Sequence, residues 1–202
     1  MIGQECIDEL ADYRRPQGAC RRITERAMRG EIEFEPALRE RVALLKGLPV
    51  GVVDEVLQTR ITPTPGGREL VATMRAHGAY TCLISGGFTL FTNAVAAMIG
   101  FQENRANELL VRGRQTDRRG HGADPGPRRQ ARDADRAARD PSISTSIDTL
   151  VVGDGANDLG MIQAAGLGVA YHAKPAVAPP RRARIDHGDL TALLYAQGYQ
   201  TG

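Results

Sequence analysis

The amino-acid sequence predicts an α/β fold, a parallel sheet flanked by helices with a helical bundle at its N-terminal end, and two observations carry that reading. First, the grammar strand, polar glycine turn, helix occurs twice: "AYTCLI" runs into "SGGFT" and a helix, and "DTLVVGDGAND" runs into a second helix from about Asp158. That alternation is the pattern of parallel strands joined by crossover helices. Second, residues 4 to 58 repeat apolar side chains three or four apart and contain no strand pattern, which is the signature of packed amphipathic helices.

Within the bundle, "ECIDELADY", "CRRITERAMRG", "FEPALRERVALLKG" and "VGVVDEVLQ" are the four helical segments, with Gly30 and Gly47 placed as C-terminal stops. The breaker run "TPTPGG" ends the bundle, and residues 68 to 77 then read as a helix stopped by Gly78. "AYTCLI" is a short buried strand. The helix after it, from about Phe88 to Ile99, sets Phe88, Phe91, Val95 and Met98 on one face. Further on, a strand reaches Gly153, "LGVAY" forms another, and "DLTALLYAQG" is an amphipathic helix with Asp189 as its cap. No internal repeat is visible. Between the two strand–turn–helix units lies "RGRQTDRRGHGADPGPRRQARDADRAARD", residues 112 to 140, with nine Arg, five Asp and no apolar residue other than Ala. A segment with so little to bury does not offset its own ordering entropy, so disorder or a solvated helix is expected.

A length of 202 residues with 42% hydrophobic and 25% charged residues suits one soluble core plus a smaller appendage. The net charge of +2 is modest, and much of the Arg excess lies in residues 112 to 140, so neither a nucleic-acid nor a membrane partner is indicated. Cys6, Cys20 and Cys82 are too widely spaced for a disulfide framework or a zinc pattern, and point to a reducing compartment. The N-terminus has no basic region followed by an apolar run, and no stretch reaches ~18 apolar residues, so a cytoplasmic location is expected.

Ligands of open parallel sheets bind beyond the carboxyl ends of the strands, where both "SGGFT" and "GDGAND" fall. In the first loop, Ser85 offers a hydroxyl, while Gly86 and Gly87 let backbone N–H groups approach an anion at a helix start, which suits phosphate. The alternative is that Ser85 merely caps the helix and the glycines merely turn the chain. In the second loop, Asp154 and Asp158 supply two carboxylates after a buried strand, and Gly153 and Gly155 are read as clearing room for a hydrated hard cation. Mg2+ keeps several waters and takes one or two protein carboxylates, which fits such a loop. A helix cap by Asp158 beside a turn made by Asp154 is the alternative. Asn157 adds an amide able to orient a neighbouring group. Asp8 and Asp12, four apart on one helix, read as its solvent face, and His77, His121, His172 and His187 as isolated surface or packing residues.

The stretches "LISGGFTLFTNAVAAMIG", "VVGDGANDLGMIQAAGLGVAYHAKPAV" and "AMRGEIEFEPALRERVALLKGLP" together resemble phosphoserine phosphatases of the haloacid dehalogenase superfamily, over residues 1 to about 110 and 148 to 202. The resemblance implies a Rossmann-like core with an inserted helical cap, here residues 1–62 as cap and 63–202 as core, with 111–147 anomalous and the first core strand missing. It implies hydrolysis of O-phospho-L-serine to L-serine and phosphate with Mg2+, through an aspartyl nucleophile and a second Asp as general acid and base. Carried across, Ser85 is the phosphate-holding hydroxyl and Gly86 a backbone donor beside it. Asp154 is a metal ligand, Asp158 supports the metal site, and Asn157 touches substrate. In the cap, Glu5 meets the substrate ammonium and Arg41 its carboxylate, for which a planar fork is suited. Met28 and Phe34 line the same pocket. On residue type alone, Glu5 and Arg41 read as solvated helix charges.

The sequence departs from that family twice. The family places D-x-D-x-T directly before a stretch like "MIGQECIDELA", and the motif does not occur among these 202 residues. The family's catalytic Lys lies on a helix where this chain has residues 111–147, and the only lysines here are Lys46 and Lys174. The chain as given is therefore expected to be inactive, unless its true start codon lies upstream. The alternative is a non-catalytic phosphate-binding protein, or a basic interaction protein derived from the family. An abrupt switch to Arg, Ala, Gly, Pro and Asp, with an equally abrupt return, suggests a compensated frameshift. A basic linker or RNA-binding arm is the rival, weakened by many Asp and no interleaved aromatics. Translating the DNA in its other two frames decides between them.

Overall fold

The computed structural model describes residues 1–14, 18–28, 31–49, 51–109, 111–112, 115–116, 148–173 and 183–199. They fall into two compact units, Met1–Ala123 with Asp189–Gly202, and Asp124–Gly188. Residues 112 to 140 lie outside the described residues except where Val111–Arg112 (β3) pairs antiparallel with Gln115–Thr116 (β4). Among the described residues no helix is long and apolar enough to cross a membrane.

The first unit begins with the expected helices: α1 (Cys6–Arg14), α2 (Ala19–Met28), α3 (Phe34–Leu44) and α4 (Gly51–Thr59). α1 packs on the other three, and α4 reaches α6 (Thr89–Ile99). Leu10, Leu45 and Val56 from the bundle therefore share one hydrophobic cluster with Phe91 and Val95 of α6. Each such burial is worth about 1.5–3 kcal/mol. The helix face of α6 is set by Phe91, Val95 and Ile99, while Met98 is only half-buried. Gly47 stops the turn after α3 with φ 77°, and Gly78 stops α5 (Gly67–Ala76) with φ 85°, both in the left-handed region open to glycine.

The solvent-face reading of Asp8 is corrected by the fold. Asp8 is 3% exposed and accepts a hydrogen bond from the Thr24 hydroxyl at 2.8 Å. It sits beside the Ile7, Leu10 and Ala11 stripe, close enough to be carried under α2. Asp12 stays half-buried at the edge, 3.5 Å from Arg21.

β1 (Cys82–Phe88) pairs in parallel with β2 (Glu103–Asn107). The register runs Ile84 to Arg105 and then Phe88 to Asn107, so Ser85, Gly86 and Gly87 stand against Ala106 alone. The strand thus carries "SGG" as a bulge rather than ending before it. β2 has no apolar alternation to announce it. Its polar side chains are satisfied locally: Asn104 accepts from the Thr92 hydroxyl at 2.7 Å, and Asn107 donates to the Gly86 carbonyl at 2.8 Å.

The second unit is a three-stranded parallel sheet in the order β5 (Leu150–Gly153), β6 (Leu167–Tyr171), β7 (Ala183–Ile185). A 3-10 turn (Ala156–Asp158) and α7 (Leu159–Ala164) link β5 to β6. Val169 and Ile162 are fully buried between sheet and helix. A Cβ at Gly168 would lie 2.0 Å from the Ile162 carbonyl oxygen, so helix and strand meet backbone to backbone. The "ARI" of β7 is too short to show a period in the sequence.

The C-terminal helix α8 (Ala192–Ala196) belongs to the first unit and is shorter than its amphipathic pattern suggests. Asp189 still serves the turn that leads into it, accepting hydrogen bonds from the Thr191 N–H at 2.9 Å and from the Thr191 hydroxyl.

Candidate active site

The loop after β5 is organised around one carboxylate. Oδ2 of Asp158 accepts the N–H groups of Asp154 and Gly155, each at 3.1 Å, and Oδ1 accepts the Asn157 side-chain amide at 2.8 Å. Asp158 is only 8% exposed. Burial pushes its carboxyl up to about 6, the Asp154 charge adds to the rise, and the two backbone N–H bonds pull partly back. The glycines have a different purpose from the one expected. A Cβ at Gly153 would meet Asp158 Cβ at 2.4 Å, and one at Gly155 would meet Asn157 Oδ1 at 2.2 Å. The space they clear is filled by these two side chains rather than by a hydrated ion.

Asp158 also does not cap α7 in the ordinary sense. It stands at the N-cap position but makes no side-chain bond to the helix, reaching back instead to the loop amides. Asp154, by contrast, is exposed at the carboxyl end of a parallel strand. Among the described residues no group of three or more His, Cys, Asp or Glu side chains is placed to hold a metal ion. This donor set does not make an all-protein cage. It fits a largely hydrated Mg2+, which needs only one or two protein carboxylates, with Asp154 as the outward one.

In the first unit, the bulge of β1 presents Ser85. Its Oγ accepts the Gly87 N–H at 3.0 Å, which leaves the hydroxyl proton available to donate. Helix α6 starts later, with Phe88 at its N-cap and no side-chain cap bond, so Ser85 is not a helix cap. The Gly86 carbonyl is held by Asn107, which is 8% exposed. Asn107 lay hidden in a polar run, and nothing in the sequence distinguished it from a solvated loop residue.

Of the cap residues, Glu5 is exposed at the start of α1, where its carbonyl accepts the N–H groups of Asp8 at 2.9 Å and Glu9 at 3.1 Å. Met28 closes α2 and Phe34 opens α3; their side chains lie outside the described residues. Arg41 is not a solvated helix charge. It is 6% exposed, its Nη1 donates to the Thr24 hydroxyl at 3.3 Å, and its Nε donates to the Ala37 carbonyl at 3.4 Å. Ser85 and Arg41 belong to the first unit and the Asp154 loop to the second.

A family model of haloacid dehalogenase-like hydrolases matches residues 2–163. The chain belongs to this family. Within the haloacid dehalogenase-like hydrolases it groups with the phosphoserine phosphatases. It is 40% identical to the phosphoserine phosphatase of Polaromonas sp. (strain JS666) over 96% of this chain and 84% of that one. A solved structure described as a phospho-aspartyl intermediate analogue of phosphoserine phosphatase superposes with a TM-score of 0.89 at 33% identity, covering 96% of this chain and 92% of that one. A substrate-bound phosphoserine phosphatase complex gives a TM-score of 0.89, 33% identity and the same coverages. The Rossmann-like haloacid dehalogenase core expected from the sequence is thereby established.

Proposed function

We propose that this chain is a phosphoserine phosphatase by descent, with a cap of residues 1–62 and a core of 63–202, from a lineage that acts on O-phospho-L-serine in the cytoplasm on the route to L-serine. The observation that carries the reading is the loop at residues 153–158. A buried Asp158 fixes the loop backbone and leaves Asp154 exposed at the carboxyl end of a parallel strand, where open sheets of this kind bind their ligands. Relatives 33 to 40% identical are phosphoserine phosphatases, which supplies the substrate class.

In this reading Ser85 donates its hydroxyl proton to a phosphate oxygen, with the Gly86 backbone beside it. Asp154 is the residue that would hold Mg2+, with Asp158 setting its position through the loop. When bound, Mg2+ neutralises phosphate charge and favours phosphoryl transfer. Asn157 touches substrate, while Glu5 takes the ammonium and Arg41 the carboxylate. The family's reaction passes the phosphoryl group to an Asp carboxylate of D-x-D-x-T and then to water. That motif is not among these 202 residues, so the residues present supply groups that bind phosphoserine and not the attacking carboxylate.

Calorimetry with phosphoserine, together with phosphate-release measurements, tests this. The expected result is Mg2+-enhanced binding that Asp154→Ala abolishes and Ser85→Ala weakens about tenfold, with no release above buffer. Turnover by the 202-residue chain would refute its inactivity, and absence of binding would refute the substrate assignment.

A further inference from the structure

Three cap helices each bring one polar side chain to the same buried place. Asp8 of α1, Thr24 of α2 and Arg41 of α3 are 3%, 4% and 6% exposed, in a bundle whose neighbouring buried side chains are apolar. The direction of their hydrogen bonds is fixed by chemistry. A guanidinium can only donate, so the Thr24 oxygen accepts from Arg41 Nη1 at 3.3 Å. The single Thr24 proton then goes to Asp8 Oδ1 at 2.8 Å, in preference to the Cys20 carbonyl at 3.2 Å. Arg41 is thus steered by a carboxylate it does not touch, through a hydroxyl that relays the polarity. Its Nε is held by the Ala37 carbonyl of its own helix at 3.4 Å. This leaves the second Nη1 proton and the Nη2 edge, the end-on fork that matches a carboxylate.

We infer that Asp8 and Thr24 are positioning residues that aim the Arg41 guanidinium at the substrate carboxylate. The inference rests on the assignment of Arg41 in the proposed function. A direct Asp–Arg pair would have occupied the fork that substrate needs. With a hydroxyl between them, the negative charge stays close while the fork remains available. Buried unpaired charge is costly, so the two charged groups stay at opposite ends of the same short chain.

The test compares binding of L-phosphoserine with that of O-phosphoethanolamine, which keeps the phosphate and ammonium but lacks the carboxylate. Thr24→Val should weaken phosphoserine about tenfold and leave phosphoethanolamine unchanged, whereas Thr24→Ser, which keeps the hydroxyl, should match the parent for both. Equal losses for both ligands, or no loss for either, would overturn the positioning role while leaving the proposed function standing. If the parent itself binds the two ligands alike, or binds neither, the assignment of Arg41 fails and the inference goes with it. Should Thr24→Val not fold, Asp8→Asn is read with the same ligand pair and the same criteria. The Arg41 Nη1 amino group gives a ligand-free readout by nitrogen-15 NMR: hindered rotation about Cζ–Nη1 in the parent and in Thr24→Ser, released in Thr24→Val, supports the relay, and equally free rotation in all three contradicts it.

Discussion

Gly153→Ala adds one methyl group and should damage the second unit out of proportion to its size. That methyl would lie 2.4 Å from Asp158 Cβ and 2.6 Å from Asp158 Oδ2. A β-carbon is fixed to its backbone, so no rotamer of Asp158 relieves the clash. The loop itself has to retreat by about 1 Å to regain ordinary van der Waals contact. Overpacking of this kind costs about 1–3 kcal/mol, and each of the two backbone hydrogen bonds to Asp158 adds about 1 when the loop moves, giving roughly 3–5 kcal/mol. Against a typical domain stability of about 5–15 kcal/mol, that is a large share. Urea unfolding with linear extrapolation measures it, and amide exchange at Val151 and Val169 assigns the loss to the second unit. Gly51→Ala is the comparison: a Cβ there meets nothing within 4 Å, so a change between zero and about 1 kcal/mol of stabilisation is expected. If Gly153→Ala unfolds within about 1 kcal/mol of the parent, the loop yields freely and the argument for a pinned Asp154 fails.

Asp158 should give the metal-free protein an inverted acid response. Its folded carboxyl, pushed up to about 6 from 3.8 by burial, binds its proton more tightly than the unfolded chain does, so stability falls as pH rises between about 4 and 6 and is level above. The span is about 3 kcal/mol, and Asp158→Asn should lack it; parallel pH profiles of the urea midpoint for parent and variant would contradict the shift. Cys6 and Cys20 should resist alkylation in the native state near pH 8, because burial holds both thiols protonated, Cys6 up to about 12 with help from the Glu5 charge, and Cys20 with help from Asp8. Peptide mapping after iodoacetamide treatment should find them modified only in urea, and prompt native labelling of either would count against it.

The sequence made legible what repeats. Helices α1 to α4 follow from their apolar spacing, and β5, β6 and the two glycine-rich turns follow from strand–turn–helix alternation. It was silent where the stabilising force is a specific polar bond. β2 is spelled "ENRAN" and is held by Asn104 and Asn107, neither of which a hydrophobic period can reveal. Helical spacing puts Asp8 in solvent, and residue type alone does the same for Arg41, yet both are buried with Thr24, on a third helix, as their shared partner. The sequence pattern reads Gly153 and Gly155 as room for a hydrated cation, but the occupant of the space they leave is set by Asn157 and Asp158 folding back, a contact that spacing alone does not specify.

The polar chain through the cap also decides how the bundle can assemble. Leucines and valines tolerate many alignments, since one apolar contact is much like another. A slip of α2 by one turn, about 5.4 Å, would carry Thr24 away from its neighbours and strand an acid and a guanidinium in hydrocarbon. The observed alignment of the three helices lets all three groups meet, so their hydrogen bonds favour it over alignments slipped by a turn.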